Sequence, residues 1–124
     1  MSTILVIDDD EYMRDLLRLH LSNAGYEVLL AEDAVVAGHS LLRQRPDLIL
    51  LDVEMPFMNG LEFVTALKAD PAVSDIPVVF VSSRDDCEDR ARELGARAFL
   101  RKPLLADHLL ATVAGYVEGG RIAL

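Results

Sequence analysis

Three carboxylates stand directly after apolar runs. Asp8 and Asp9 follow Ile4-Leu5-Val6-Ile7, and Asp52 follows Leu48-Ile49-Leu50-Leu51. Two other polar groups hold the same kind of position: Ser82 after Val78-Val79-Phe80-Val81, and Lys102 after Ala98-Phe99-Leu100-Arg101. Carboxylates brought together without a counter-charge repel and raise one another's pKa, and a bound cation removes that penalty. An aspartate-only set suits Mg²⁺, a hard ion that keeps several waters, far better than Zn²⁺, which favours His or Cys. Aspartate with Mg²⁺, an ammonium and a hydroxyl is a set for phosphoryl chemistry. One carboxylate attacks phosphorus to give an aspartyl phosphate, while the other groups hold the transferring oxygens. Singly, each signal is ordinary, since strand-terminal Asp and Ser are often helix caps and Lys-Pro is a common turn.

The set acts together only if the elements bring it to one edge. Between Asp47 and Asp52 lie four apolar residues, the pattern of a strand buried on both faces. Pro56 and Asn59-Gly60 mark a loop after it, so Asp52 sits where the strand leaves the core. After Asp8-Asp9-Asp10 the period changes to a helix, with Met13, Leu16, Leu17, His20 and Ala24 in register, Asp10 as N-cap and Asn23 and Gly25 at its close. Tyr26 to Ala31 reads as a strand and Asp33 to Gln44 as a helix, despite Gly38 at its centre and Val35-Val36 near its start. Asn59 caps a helix carrying Leu61, Val64 and Leu67 that ends near Asp70-Pro71. Ile76 to Val81 is a fourth strand, Asp86 to Leu94 a polar helix closed by Gly95, and Ala98 to Arg101 a fifth strand. A last helix shows Leu105, Leu109, Leu110, Val113 and Val117 on one face and stops at Gly119-Gly120. Five strands alternating with five helices specify an α/β fold, a five-stranded parallel sheet doubly wound with helices in three layers. In a parallel sheet all strand ends face one edge, where ligands of such folds bind.

The 124 residues suffice for one domain, residues 1–120, with 121–124 a C-terminal tail or the start of a linker. No apolar run approaches the roughly 18 residues needed to span a bilayer, and no basic leader precedes the first strand. The single cysteine, Cys87, excludes an internal disulfide and suits the reducing cytoplasm; it is expected as a small residue on a polar helix. A net charge of −9, from 21 acidic and 12 basic residues, opposes direct contact with nucleic acid or anionic lipid.

Taken jointly, in this order and αβ rhythm, these motifs make the chain resemble the receiver domain of bacterial two-component response regulators. The resemblance rests on Asp8-Asp9, on Asp52 within Leu50-Leu51-Asp52-Val53-Glu54-Met55-Pro56, on Asn59-Gly60, on Ser82 and on Lys102-Pro103, and covers residues 3 to 118. It implies the flavodoxin-like strand order 2-1-3-4-5. It further implies that Asp52 takes a phosphoryl group from a sensor histidine kinase or phosphotransfer protein. Asp9 and Asp52 would coordinate Mg²⁺, or alternatively Mn²⁺, with the backbone carbonyl of Glu54, and Asp8 would act through water. Lys102 would pair with a phosphoryl or carboxylate oxygen, and Ser82 would move toward the phosphoryl group, letting Phe99 turn inward. The Lys102-Pro103 bond would be cis. The implied output is a downstream protein or fused domain meeting the fourth helix, fifth strand and fifth helix, with a phosphorylation-dependent dimer as a further expectation. Such a switch catalyses only its own phosphorylation and hydrolysis and is not otherwise an enzyme.

Phe99 stands where tyrosine is frequent in the family, so switching works by ring burial without a phenol hydroxyl. Ser82 stands for threonine and keeps the hydroxyl. The segment from Ser82 to Gly95 is about two residues shorter than in the chemotaxis regulators, which predicts a short or tilted fourth helix. Glu54 and Arg84, each two residues beyond a site residue, are expected to overhang the site and to pair as a gate to water. The alternative is that both are simply solvated. His20, His39 and His108 fall in helices, away from strand ends. Two other classes compete. A flavodoxin-like electron carrier would need a Ser/Thr/Gly-rich phosphate loop where Asp8-Asp9-Asp10 stands. A small phosphohydrolase using Asp8 and Asp10 would need a hydroxyl residue where Tyr12 stands.

Overall fold

The computed structural model describes residues 1–117. The tail from 121 to 124 and the glycine stop at Gly119-Gly120 lie outside the described residues. Ten elements alternate: β1 (Thr3–Ile7), α1 (Glu11–Asn23), β2 (Glu27–Ala31), α2 (Ala34–Arg43), β3 (Leu48–Leu51), α3 (Gly60–Ala69), β4 (Val78–Ser82), α4 (Glu88–Glu93), β5 (Ala98–Arg101) and α5 (Ala106–Val117). The strands form one sheet in the order β2-β1-β3-β4-β5, every pair parallel, as the alternation and the family resemblance predict.

Side chains of a strand alternate between faces, so the apolar runs split into two cores. Leu5, Ile7, Ile49, Leu51, Val78 and Phe80 meet residues of α2, α3 and α4 on one face. Ile4, Val6, Leu48, Leu50, Val79 and Val81 meet α1 and α5 on the other. All four residues of β3 are buried, which holds the base of Asp52 from both sides.

Two helices start on the capping residues the sequence predicts, Asp10 and Asn59, and a third is capped by Asp33, read in sequence as the first residue of its helix. Tyr12 N donates to Asp10 Oδ1 at 3.0 Å, and Val36 N donates to Asp33 Oδ1 at 2.9 Å. Asn59 and Glu62 exchange hydrogen bonds at 2.9 and 3.0 Å in a capping box. The cap on Asp33 and the buried Ala37 and Ser40 hold α2 in place despite Gly38, with Val35 left exposed.

Four local expectations change. Strand β4 begins at Val78, because Pro77 has no N–H for the ladder. Helix α4 has only six residues, shorter than the span from Asp86 to Leu94, in line with the short segment there. Cys87, at the N-terminal boundary of α4, is buried in the core instead of lying on a polar face. Leu105 precedes α5 and is exposed, so the apolar face of that helix starts with Leu109.

Gly60 reads in sequence as a turn residue, but its role is close approach. Its N–H donates to the Val53 carbonyl at 2.7 Å. A methyl group there would lie 2.8 Å from the Phe80 ring and 3.0 Å from Val53 Cα, and closer still to the Asp52 carbonyl oxygen. The start of α3 is thereby pressed against the residue that follows β3.

Candidate functional site

Backbone hydrogen bonds continue the sheet at its carboxyl edge, joining β3 to β1, β1 to β2 and β5 to β4. Asp52 N donates to Ile7 O at 2.9 Å, Asp8 N to Ala31 O at 3.1 Å, and Lys102 N to Ser82 O at 3.0 Å. With the parallel pairing of β3 and β4, these bonds set Asp8, Asp52, Ser82 and Lys102 on one edge. Asp8, Asp52 and Ser82 are buried, and Asp9 is exposed. One carboxylate oxygen from each of Asp8, Asp9 and Asp52 lies within 4.8 Å of the others.

The Lys102 ammonium lies 3.0 Å from Asp8 Oδ2 and 3.7 Å from Asp52 Oδ2, so its hydrogen bond goes to Asp8. The sequence predicts Lys102 against a phosphoryl or carboxylate oxygen without saying which carboxylate. The other Asp8 oxygen accepts from Asp10 N at 3.0 Å. Arg14, which sequence reasoning missed, donates from Nη1 to the Asp8 carbonyl at 2.8 Å and clamps the turn from β1 into α1. A helical arginine one turn beyond an acidic cluster is too common a pattern to single it out beforehand.

Burial pushes the Asp52 carboxyl up to about 6, and the charge of Asp8 adds to the push. Lys102, Asp9 and the Glu54 backbone N–H act on it more weakly: the ammonium and the N–H favour the carboxylate, and Asp9 opposes it. For Lys102 burial works against the charge, but the hydrogen bond to Asp8 and the charges of Asp52, Asp8 and Asp10 outweigh it, leaving the ammonium above its ordinary value. The fit to Mg²⁺ is therefore good: three hard oxygen donors converge, and buried Asp52 carries an electrostatic penalty that a cation would relieve.

Ser82 ends β4, and its Oγ accepts from Arg84 N at 3.1 Å. The Phe99 ring is already buried, stacked on Phe80 with centroids 5.9 Å apart and planes at 28°. Phe80 is the ring beside Gly60, so contacts run unbroken from Phe99 to the Asp52 loop. The Lys102-Pro103 bond is cis. Phe57, in the loop after Asp52, has φ +72° and an exposed ring, which sequence reading did not anticipate.

Glu54 and Arg84 do meet at the rim, Nε to Oε1, but at 3.8 Å. Arg84 spends its hydrogen bonds on Asp86, Nε to Oδ1 at 3.0 Å and Nη2 to Oδ2 at 2.9 Å, a partner sequence reading missed. His20, His39 and His108 lie on helices away from the strand ends.

A doubly wound parallel sheet with an aspartate cluster and a lysine on its carboxyl edge defines the class, a receiver-type signalling domain. The family model for the response regulator receiver domain matches residues 4–114, and the chain belongs to that family. It is 40% identical over 112 residues to the response regulator MprA of Mycobacterium leprae, an alignment covering 89% of this chain and 48% of that protein. The chain spans about half the length of the curated relatives it matches. Among solved structures it is similar to the chemotaxis protein CheY4 of Vibrio cholerae, with a TM-score of 0.87, 31% identity, and coverage of 94% of this chain and 98% of that one. It is also similar to the signal receiver domain of a histidine kinase from Syntrophus aciditrophicus, with a TM-score of 0.88, 31% identity and coverage of 96% and 92%. Receiver domains of response regulators are signalling proteins and not classical enzymes, and the electron-carrier and phosphohydrolase readings give way to that assignment. No helix among the described residues is long and apolar enough to cross a membrane.

Proposed function

We propose that Asp52 is the phosphoacceptor of a two-component phosphorelay. The observation that carries this reading is the Asp52 carboxylate, buried at the end of the central strand, with Lys102 and two further aspartates around it. Asp52 attacks the phosphorus of a phosphohistidine on a sensor kinase or phosphotransfer protein. A P–O bond forms to Asp52, the P–N bond breaks, and the departing imidazole nitrogen takes up a proton. Lys102 then moves from Asp8 toward a phosphoryl oxygen, a displacement of the kind its 3.0 and 3.7 Å distances make short. Asp9 and Asp52 with the Glu54 carbonyl, and Asp8 through water, would hold Mg²⁺ or Mn²⁺, which when bound offsets charge on the phosphoryl oxygens. Both Asp8 oxygens already accept a protein hydrogen bond, which favours the water-mediated role.

The Ser82 hydroxyl turns from the Arg84 amide to the phosphoryl group, and the β4–α4 segment follows. Phe99, already inward, locks that arrangement by its stack on Phe80. Readout occurs on the face of α4, β5 and α5, where a groove of about 530 Å³ is lined by Arg92, Phe99, His108, Thr112 and Tyr116. A cytoplasmic partner, a fused output domain or a second phosphorylated copy would meet the protein there. Phosphorylation selects among existing conformations. Glu54 and Arg84 flank the mouth and, when they pair, restrict the water that hydrolyses the aspartyl phosphate, the only other reaction the domain catalyses.

Incubation with acetyl phosphate and Mg²⁺ followed by intact mass tests the reading. One added phosphoryl mass is expected on the wild type and none on Asp52→Asn; equal labelling of the two would refute it.

A further inference from the structure

We infer that Asp86 is a positioning residue whose carboxylate holds Arg84 back from Glu54 and so keeps the mouth of the Asp52 site open to water. The inference rests on Asp52 as phosphoacceptor and on Glu54 and Arg84 as the groups at that mouth. One guanidinium has two competing anions. Asp86 takes it with two charge-assisted hydrogen bonds at 3.0 and 2.9 Å, a planar pairing suited to the guanidinium fork. Glu54 has the same Nε only at 3.8 Å, beyond hydrogen-bond distance.

Asp85 and Glu88 are engaged elsewhere. Arg101 lies 3.4 Å from Asp85 and 3.5 Å from Glu88, and Arg92 lies 3.1 Å from Glu88. Asp86 is thus the carboxylate of this segment that holds Arg84. Neutralising it transfers the guanidinium to Glu54 and draws the rim closed. Hydrolysis of the aspartyl phosphate then slows. In that reaction the water oxygen bonds to phosphorus as the P–O bond to Asp52 breaks, Asp52 leaves as carboxylate, and the water protons remain with the released phosphate. Pairs this exposed support a change of about two- to fivefold and not of orders of magnitude.

The test loads the full chain with acetyl phosphate and Mg²⁺, removes the donor, and follows decay of the phosphorylated species by intact mass. Asp86→Asn is expected to decay about two- to fivefold more slowly, and Asp86→Glu at the wild-type rate. In Arg84→Ala or Glu54→Gln backgrounds, Asp86→Asn is expected to add nothing. Wild-type decay in Asp86→Asn, or an equal slowing with Arg84 removed, overturns the inference while leaving Asp52 as the acceptor. A wild type that takes up no phosphoryl group overturns both.

Discussion

The site has two halves built on different physical terms. The inner half, Asp8, Asp52, Ser82 and Lys102, stands on strand ends in contact with the core; the outer half, Glu54, Arg84, Asp86 and Phe57, stands on loops in water. In the inner half a misplaced charge has little solvent to screen it, so Asp52 is held well above the usual carboxylate range and Lys102 is bound to Asp8. In the outer half charges are exposed and partners exchange at small cost. Strand-borne groups can therefore supply fixed chemistry, and loop-borne groups can only adjust its rate.

The largest effect that sharpens this contrast is expected at Gly60, where the inner half is pressed onto α3. Gly60→Ala would force apart Asp52, Val53 and Phe80, and a loss of about 3 kcal/mol in urea unfolding is expected. Stability within a few tenths of wild type would show that the loop has room to yield. Next comes Lys102→Met, which keeps the stem but leaves two buried carboxylates without their cation. A loss of about 2–3 kcal/mol is expected at pH 7, becoming smaller at pH 5 as Asp52 takes up a proton. Equal losses at both pH values would contradict it.

Asp52 itself predicts a pH-dependent gain. Its ordinary value is 3.8 and its folded value about 6, so between these the folded state holds a proton that the unfolded chain has lost. Stability therefore falls as pH rises through that window, and the penalty is fully developed above pH 6. In EDTA at pH 7 Asp52→Asn is expected to be more stable than wild type by about 2 kcal/mol, with the gap closing below pH 4. A gap that does not vary from pH 4 to pH 7 would mean that Asp52 is not strained. The smallest effects belong to the rim: Arg84→Ala and Asp86→Asn are expected to leave the melting temperature unchanged while altering phosphoryl lifetime. A clear drop in melting temperature for either would erase the distinction between the halves.

Much of the inner half was legible because strand ends and caps are local features. The apolar runs before Asp8, Asp52, Ser82 and Lys102 place those residues on one edge whatever the details of packing, and Asp10 and Asn59 start helices through atoms two or three residues away. Cys87 and Leu105 were misplaced because each borders a helix, where the chain's path and not the periodicity decides which side meets the core. The left-handed backbone of Phe57 had no signal, since an aromatic residue is rarely found there.

The sequence by itself determined the βα alternation, the two-sided burial of β3 and the arrival of three carboxylates and a lysine at one sheet edge, because these follow from periodicity and the direction of parallel strands. Tertiary structure alone decided that Lys102 bonds Asp8 in preference to Asp52, that Gly60 is needed for contact and not for a turn, and that Arg84 turns to Asp86. The Lys102 and Arg84 outcomes turn on differences of under an ångström between competing partners, and the Gly60 contact on how closely α3 approaches β3, a scale set by packing and not by residue spacing.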